Sequence, residues 1–319
     1  MPSLTKDQQA AVSLLDKNLV LIASAGSGKT SVLVEKVATL LEKTDSRLEN
    51  ILTMTFTEKA AAELKERIQK RLHLGRQEMA QAPIQTLHGF CADLLKEQEG
   101  KPLKIMDEHF ATAVKARVIH EGLIELLRQE LPAATTLVAE FGFRRVREIC
   151  FTTFDQSYNL REWKKNHLAQ KIEEEFSEPL LEIFALLRDR FKEEKNKGDV
   201  FDFDDLEERA IHLLETNKEK RDFYQNRFHY ILIDEFQDTN PVQIRLLEQL
   251  HHPQKNRLFV VGDPKQSIYQ FRGADISLFQ KMVQKIRKEN GEVLYLRDNF
   301  RAAPSLIEPI NRFFSPHFS

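Results

Sequence analysis

Short apolar runs alternate with amphipathic stretches from the N-terminus to about residue 105. Asn18–Ala23 and Ile51–Phe56 are mostly apolar, and they predict two buried strands. Lys29–Leu41 and Glu58–Leu72 carry apolar residues at helical spacing, so they predict a helix after each strand. Strands that alternate with helices in this way predict a parallel sheet covered by helices on both faces.

The region from residue 106 to residue 198 has a different pattern. Apolar residues recur there at helical spacing among charged residues, and turn signals are few. Val114–Gln129 and Lys171–Lys195 are the clearest amphipathic helices, and the polar stretch Lys195–Asp199 is the expected exit because it contains a glycine. We therefore predict an all-helical insertion over residues 106–198.

The strand–helix alternation returns after about residue 199 and ends with a predicted helix at Arg301–Phe314. The predicted fold class is α/β, with one parallel sheet in a discontinuous domain made of residues 1–105 and 199–319. Three further apolar runs predict its remaining strands: His229–Ile233, Arg257–Val261 and Glu292–Leu296.

Composition and charge favour a soluble globular protein. Hydrophobic residues make up 41% of the 319 residues and charged residues 30%, and no apolar run approaches the ~20 residues of a membrane span. Cys91 and Cys150 lie far apart without metal-binding spacing, which argues against a disulfide framework and fits a reducing cytoplasm. The net charge of −2 argues against a generally basic nucleic-acid coat but leaves room for a local basic groove.

A phosphate-binding loop is the strongest local signal. Residues 23–30, Ala-Ser-Ala-Gly-Ser-Gly-Lys-Thr, join a predicted strand to a predicted helix, and only the first glycine of the usual pattern is replaced, by Ala23. Lys29 is expected to reach the β- and γ-phosphates of ATP, and the Thr30 hydroxyl to bind Mg²⁺. The alternative is an ordinary Gly/Ser loop before a helix. The expected nucleotide contacts of the loop backbone are Ala25, Gly26, Ser27 and Gly28.

Two carboxylates follow the predicted strand His229–Ile233. Ligands of open α/β sheets bind at the carboxyl ends of the strands. Asp234 therefore fits the residue that holds Mg²⁺, and Glu235 fits the residue that orients and deprotonates the attacking water. The alternative is that Asp234 only caps the following helix.

Further motifs occur in a fixed order along the chain, and together they resemble the UvrD/Rep/PcrA type of superfamily 1 DNA helicase over nearly the whole length. The resemblance implies a RecA-like ATP-binding domain. The motifs are a Q motif at Leu4–Gln8, motif Ia at Thr55–Ala61, the next DNA-contacting motif at Thr86–Phe90, motif II at Asp234–Asp238, motif III at Gly262–Gly273 and motif IV at Asn299–Arg301.

The residues found in several of these motifs are similar to those of the RecB/AddA branch of that family. The features are Ala-Ser-Ala-Gly in the P-loop, His-Gly-Phe-Cys at His88–Cys91, the run Phe203–Leu206, and Phe271 in motif III. This resemblance implies work in DNA repair or recombination, with a nuclease or a partner helicase subunit as a further partner.

The resemblance also implies roles at the nucleotide. Gln8 would read adenine, and Gln266 would sense the γ-phosphate because an amide can both donate and accept. Arg301 would stabilise charge on the γ-phosphate in the transition state. Phe300 would stack on adenine, although a core aromatic is an equally good interpretation of the sequence.

Single-stranded DNA and single-strand/duplex junctions are the implied substrates. Base stacking needs flat aromatic side chains, and Phe56 is a candidate even though it continues an apolar strand and has the pattern of a core residue. The basic cluster Arg144–Arg147 has the pattern of a solvated helix face more than that of a duplex contact. The other implied DNA-binding residues are Thr55, Thr86, His88, Tyr269, Phe271 and Arg272.

Motifs V and VI of the family, which belong to a second RecA-like domain, do not occur before Ser319. A motor needs two lobes that close and open around ATP, so we expect this chain alone to bind nucleotide weakly and hydrolyse it poorly. Ser31 replaces a residue that is commonly basic in the family. Two alternatives to an ATP-driven motor are a non-motor helicase-like scaffold and a small-molecule P-loop kinase.

Overall fold

The computed structural model describes residues 4–154, 174–268 and 274–315. The chain divides into two units. Unit 1 combines Met1–Leu94 with Glu207–Ser319, and unit 2 is Leu95–Leu206.

The strands, in chain order, are β1 (Leu19–Ala23), β2 (Ile51–Thr55), β3 (Ile84–Thr86), β4 (Lys104–Ile105), β5 (Val200–Phe201), β6 (Tyr230–Ile233), β7 (Arg257–Gly262) and β8 (Glu292–Leu296). The described helices are α1 (Lys6–Ser13), α2 (Lys29–Lys43), α3 (Glu58–Leu72), α4 (Arg76–Ala80), α5 (Leu87–Glu99), α6 (Glu108–Arg128), α7 (Pro132–Phe141), α8 (Phe143–Thr153), α9 (Glu174–Gly198), α10 (Phe203–Thr216), α11 (Lys218–Arg227), α12 (Pro241–Leu250), α13 (Ile276–Lys288) and α14 (Pro304–Phe314).

Unit 1 is built on a six-stranded sheet with the order β3-β2-β6-β7-β1-β8. Every pair of neighbouring strands in it is parallel. The predicted α/β class with a parallel sheet is therefore confirmed. Since all carboxyl ends of parallel strands lie at one edge, the loops after β1, β2, β3, β6 and β7 share that edge.

The apolar runs form strands because both faces of the sheet are covered. All five residues of β2 are buried, and the interior of β7 is buried as well. Leu21 and Val261, in neighbouring register on β1 and β7, pack in one core with Val37 of α2 and Leu64 of α3. A strand buried on both faces favours a near-continuous apolar run, which β1 shows, while β2 includes the buried threonines Thr53 and Thr55.

Helix boundaries follow local capping. The Thr57 side chain accepts a hydrogen bond from the Ala60 N–H, so α3 begins at Glu58 as predicted. Asp107 caps α6 in the same way, by accepting from the Phe110 N–H, and this extends the helix to Glu108, ahead of the predicted start at Val114. The last helix begins at Pro304 and not at Arg301, because residues 299–302 adopt a turn held by the Asn299 side chain.

Unit 2 has a helical core and one small sheet. Helices α6, α7, α8 and α9 pack around Leu123, Leu137, Cys150 and Phe184. Strands β4 and β5 pair in parallel, Lys104 with Val200 and Ile105 with Phe201. Each of these strands has only two residues, too few to show the alternating apolar pattern of a strand, so the sequence predicts neither of them.

The predicted exit from the insertion is helical. Helix α9 continues to Gly198, so Lys195 lies within its last turn and is not part of a polar loop. The Lys195 ammonium is buried between Asp202 and Asp205, with Nζ–Oδ2 distances of 2.7 and 2.6 Å. The acidic run before Leu206 thus has a structural role in neutralising a buried lysine. Among the described residues, no helix combines the length and apolar character needed to cross a membrane.

Candidate active site

The predicted P-loop links β1 to α2 and depends on two glycines. Gly26 and Gly28 both have positive φ, 74° and 86°, a conformation that costs any other residue energy. A Cβ on Gly26 would lie 2.7 Å from the Cβ of Arg301, and a Cβ on Gly28 would lie 2.7 Å from Nε2 of Gln8. The loop is therefore closely packed on its outer side, so its glycines are required by geometry as well as by φ.

Lys29 and Glu235 meet although 206 positions separate them in the chain. The Lys29 Nζ donates a hydrogen bond of 2.7 Å to Glu235 Oε2. Glu235 follows β6 and adopts a left-handed conformation with φ of 51°, unusual for a residue other than glycine. The P-loop lysine and the acidic strand end thus belong to one site at the carboxyl edge of the sheet.

Asp234 precedes Glu235 in the chain, and its surroundings disfavour the charged form of its carboxyl. Burial, and then the neighbouring Glu235, raise the pKa of its carboxyl, Lys29 opposes the rise, and the resulting pKa is about 6. The Glu235 main-chain N–H donates to Asp234 Oδ1 at 3.0 Å. A partly buried carboxylate short of positive charge is a donor that Mg²⁺ takes together with substrate phosphates. Asp234 therefore fits a magnesium ligand, and Thr30, which follows Lys29 in the P-loop, carries the hydroxyl predicted as the second ligand.

The turn at residues 299–302 is hydrogen-bonded to the P-loop. The Asn299 Nδ2 donates to the Ala25 carbonyl at 3.0 Å, and the Phe300 N–H donates to the Gly26 carbonyl at 2.8 Å. Phe300 is 62% exposed, so its core interpretation is wrong, and Arg301 is exposed as well. Both side chains therefore lie next to the loop with their surfaces open to a ligand.

Gln8 also contacts the P-loop. Its Nε2 donates to the Ser27 carbonyl at 2.9 Å, and its Oε1 accepts from the Thr5 N–H at 3.0 Å in the capping box of α1. The side chain is buried, with both ends of the amide engaged. In this structure Gln8 holds the loop, and reading adenine would require it to exchange one of these bonds.

A hydrogen-bond chain leads from the ion pair to Gln266. Gln237 Nε2 donates to Glu235 Oε2 at 2.8 Å, and Gln237 Oε1 accepts from the Asp263 N–H at 2.9 Å. Asp263 Oδ2 in turn accepts from Gln266 Nε2. The expected sensor is thus connected to the expected base through Gln237, to which the sequence assigned no role.

Candidate DNA-binding residues lie at the carboxyl ends of edge strand β3 and of its neighbour β2. Thr55 of β2 and Thr86 of β3 are register partners, and both are buried. The Thr86 hydroxyl donates to Glu58 Oε1 at 2.6 Å, while the Thr55 hydroxyl donates to the Thr57 carbonyl at 3.1 Å. These hydroxyls therefore order the turn from β2 into α3 and join it to the end of β3, at the same edge of the sheet as the P-loop.

The remaining DNA-binding candidates differ in burial and in their side-chain contacts. Phe56 is partly buried. The His88 Nε2 lies 3.0 Å from Oε1 of buried Glu207, which fixes the ring orientation. In unit 2, Val146 is buried while the arginines on either side of it are exposed. Tyr269, Phe271 and Arg272 lie outside the described residues.

Sequence comparison places these residues in a known family. The family described as the UvrD/REP helicase N-terminal domain matches residues 4–287. A probable DNA helicase II homolog of Mycoplasma capricolum subsp. capricolum is 32% identical over 97% of this chain and 41% of its own length. The ATP-dependent DNA helicase PcrA of Staphylococcus epidermidis is 31% identical over 97% of this chain and 39% of its own length.

A third relative, the putative ATP-dependent DNA helicase YjcD of Bacillus subtilis, is 30% identical over 95% of this chain and 37% of its own length. The chain thus spans well under half the length of these relatives. Together with the six-stranded parallel sheet, the family match confirms the predicted RecA-like class.

Proposed function

The chain belongs to the UvrD/REP helicase family, and from this we propose that it is the ATP-binding part of a motor that moves on single-stranded DNA. The observation that carries the proposal is the 2.7 Å contact between Lys29 and Glu235, which joins the P-loop to the acidic end of β6. It brings a phosphate-binding cation and a general base into one site. The closeness of Asn299–Arg301 to the same loop supports it further.

We propose the following roles in hydrolysis. Lys29 leaves Glu235 and binds the β- and γ-phosphates, which frees the Glu235 carboxylate to accept a proton from the attacking water. Thr30 and Asp234 would hold Mg²⁺, which would neutralise phosphate charge when bound. Arg301 is exposed beside Gly26 and stabilises charge that develops on the γ-phosphate. The exposed ring of Phe300 provides a stacking surface for adenine.

For DNA, we propose that the turn after β2 and the start of α5 after β3 form part of the strand-binding surface. The Thr55 and Thr86 hydroxyls order the turn after β2, and His88 lies in the first turn of α5. We assign Phe56, Tyr269, Phe271 and Arg272 to the same surface through the family motifs. Single-stranded DNA and its junctions with duplex are the substrates that such a surface serves.

We propose several finer assignments as well. The P-loop residues and the run Phe203–Leu206 support the RecB/AddA branch, which implies DNA repair with a nuclease or a partner helicase subunit. The two separate cysteines support a location in the cytoplasm. The division near residues 95 and 206 supports a discontinuous RecA-like domain with an inserted helical unit. The absence of motifs V and VI from this sequence supports weak turnover by the chain alone.

The test is nucleotide binding and ATPase activity with and without single-stranded DNA. The wild-type chain should bind a fluorescent ATP analogue in a Mg²⁺-dependent way, and Lys29→Ala should abolish that binding. Lys43→Ala is the matched control, because Lys43 is an exposed lysine at the other end of α2. Binding that survives Lys29→Ala contradicts the proposed site, and DNA binding without any nucleotide binding would favour the scaffold alternative.

A further inference from the structure

Gln237 is buried beside the proposed general base. It lies in the short 3₁₀ helix Phe236–Asp238 after β6, and only 2% of its surface is exposed. Its Nε2 donates to Glu235 Oε2 at 2.8 Å and lies 3.3 Å from Asp238 Oδ2. A buried neutral amide that faces two carboxylates serves them as a hydrogen-bond donor.

The orientation of this amide is determined by the main chain. Gln237 Oε1 accepts a 2.9 Å hydrogen bond from the Asp263 N–H, and a main-chain N–H can only donate. The oxygen must therefore face Asp263, and the nitrogen must face Glu235. This anchor does not depend on any other side chain, so it persists when side chains in the site move.

Gly262 has no side chain, and this leaves room for the amide of Gln237. A Cβ at this position would lie 2.6 Å from Gln237 Oε1 and 2.7 Å from the Phe279 ring. The end of β7 thus accommodates Gln237 only because residue 262 has no side chain. The amide is held between the strand end and the carboxylate with little freedom to rotate.

Lys29 and Gln237 donate to the same oxygen of Glu235, Oε2, at 2.7 and 2.8 Å. In the proposed function Lys29 must leave this oxygen to reach the phosphates. Gln237 is then the donor, among the described residues, that stays on the carboxylate. Without Gln237, the Glu235 carboxylate would keep neither of these hydrogen bonds once Lys29 leaves, and separating the ion pair would cost more.

We propose that Gln237 is a positioning residue that lets Lys29 exchange Glu235 for a triphosphate, by keeping the Glu235 carboxylate hydrogen-bonded and in place. This inference rests on the proposed function and adds a residue to it. Gln237 acts through Glu235 and does not itself contact the nucleotide.

The test is a double-mutant cycle on affinity for a non-hydrolysable ATP analogue with Mg²⁺, measured by calorimetry or fluorescence. Gln237→Met keeps the length and apolar volume but removes the donor to Glu235, and it also removes the acceptor for the Asp263 N–H, a loss that both backgrounds of the cycle share. We expect it to weaken binding about tenfold, the loss that one hydrogen bond to a charged group gives. In the Glu235→Gln background, where no carboxylate has to be held, the same change should alter affinity about twofold or less.

Two further variants keep the test decisive. Gln225→Met is the matched control, because Gln225 is another buried amide of unit 1 that bonds the Gln249 carbonyl away from Glu235. It should lower stability without changing nucleotide affinity. If Gln237→Met does not fold, Gln237→Asn takes its place, since an amide shorter by one methylene cannot span from Asp263 to Glu235.

The outcomes separate the two proposals. Equal weakening by Gln237→Met in both backgrounds, or no weakening in the wild-type background, overturns the positioning role while the nucleotide site stands. A wild-type chain that does not bind the analogue overturns the proposed function, and the positioning role with it.

Discussion

Replacing Asp234 by Asn is expected to stabilise the ligand-free protein at neutral pH. Burial, and then Glu235, raise the pKa of the Asp234 carboxyl from 3.8 to about 6, while Lys29 opposes the rise. A carboxyl whose pKa is higher in the folded state makes a contribution to stability that is fully present below 3.8. That contribution is lost as the pH rises through 6. The loss corresponds to about 3 kcal/mol.

Asparagine is the right perturbation because it changes the charge and little else. Its Oδ1 can still accept the Glu235 N–H, which now donates to Asp234 at 3.0 Å. Urea unfolding at about pH 7.5 should give the variant a free energy of unfolding higher by about 3 kcal/mol. The gain should shrink as the pH falls from 6 towards 4. The variant should also lose Mg²⁺-dependent nucleotide affinity, since the removed charge is the one that would hold the ion.

The control is Asp93→Asn, an exposed aspartate on α5, which should change stability by less than about 0.5 kcal/mol. Equal or lower stability of the Asp234 variant at about pH 7.5 would refute the burial argument. Retained Mg²⁺-dependent nucleotide binding would refute the assignment of the metal ligand.

Other variants test separate parts of the account. Gly28→Ala should lower the free energy of unfolding by roughly 1–3 kcal/mol and weaken ATP binding, because φ is 86° and the new Cβ would meet Gln8. An unchanged melting temperature would contradict the packing described for the loop. Asn299→Ala should weaken ATP binding several-fold, since Asn299 joins its turn to the Ala25 carbonyl; unchanged affinity would show that the turn is not needed. The 319-residue chain alone should hydrolyse ATP slowly in a steady-state assay even with single-stranded DNA, and robust DNA-stimulated turnover would contradict the need for a second lobe.

The sheet could be predicted because its strands are buried on both faces. Such strands are mostly apolar runs, and the runs that end at Ala23, Phe56 and Ile233 are clear in the sequence. Strand β3 has three residues, too few for a period, and its place beside β2 depends on tertiary pairing. The end of α9 was mispredicted because Lys195 and Gly198 suggest a loop, while two aspartates further along the chain neutralise the lysine.

In the site, residue types with a defined chemistry could be predicted, but their partners could not. Lys29 and Asp234 stand next to recognisable strand and helix patterns. Gln237 and Asn299 lie within motifs that were recognised, yet their roles come from contacts with Asp263 and Ala25, distant in the chain. The exposure of Phe300 likewise depends on how its turn packs against Gly26, which no local pattern specifies.

The central claim is that the P-loop lysine and the acidic end of β6 serve one Mg²⁺-bound triphosphate. A crystal structure with Mg²⁺ and a non-hydrolysable ATP analogue tests it most directly. The account predicts Lys29 Nζ on the phosphates and no longer on Glu235, Glu235 still bonded to Gln237, and a metal ion about 2.1 Å from its oxygen ligands beside Thr30 and Asp234. A nucleotide bound elsewhere, with the Lys29–Glu235 pair intact, would contradict it.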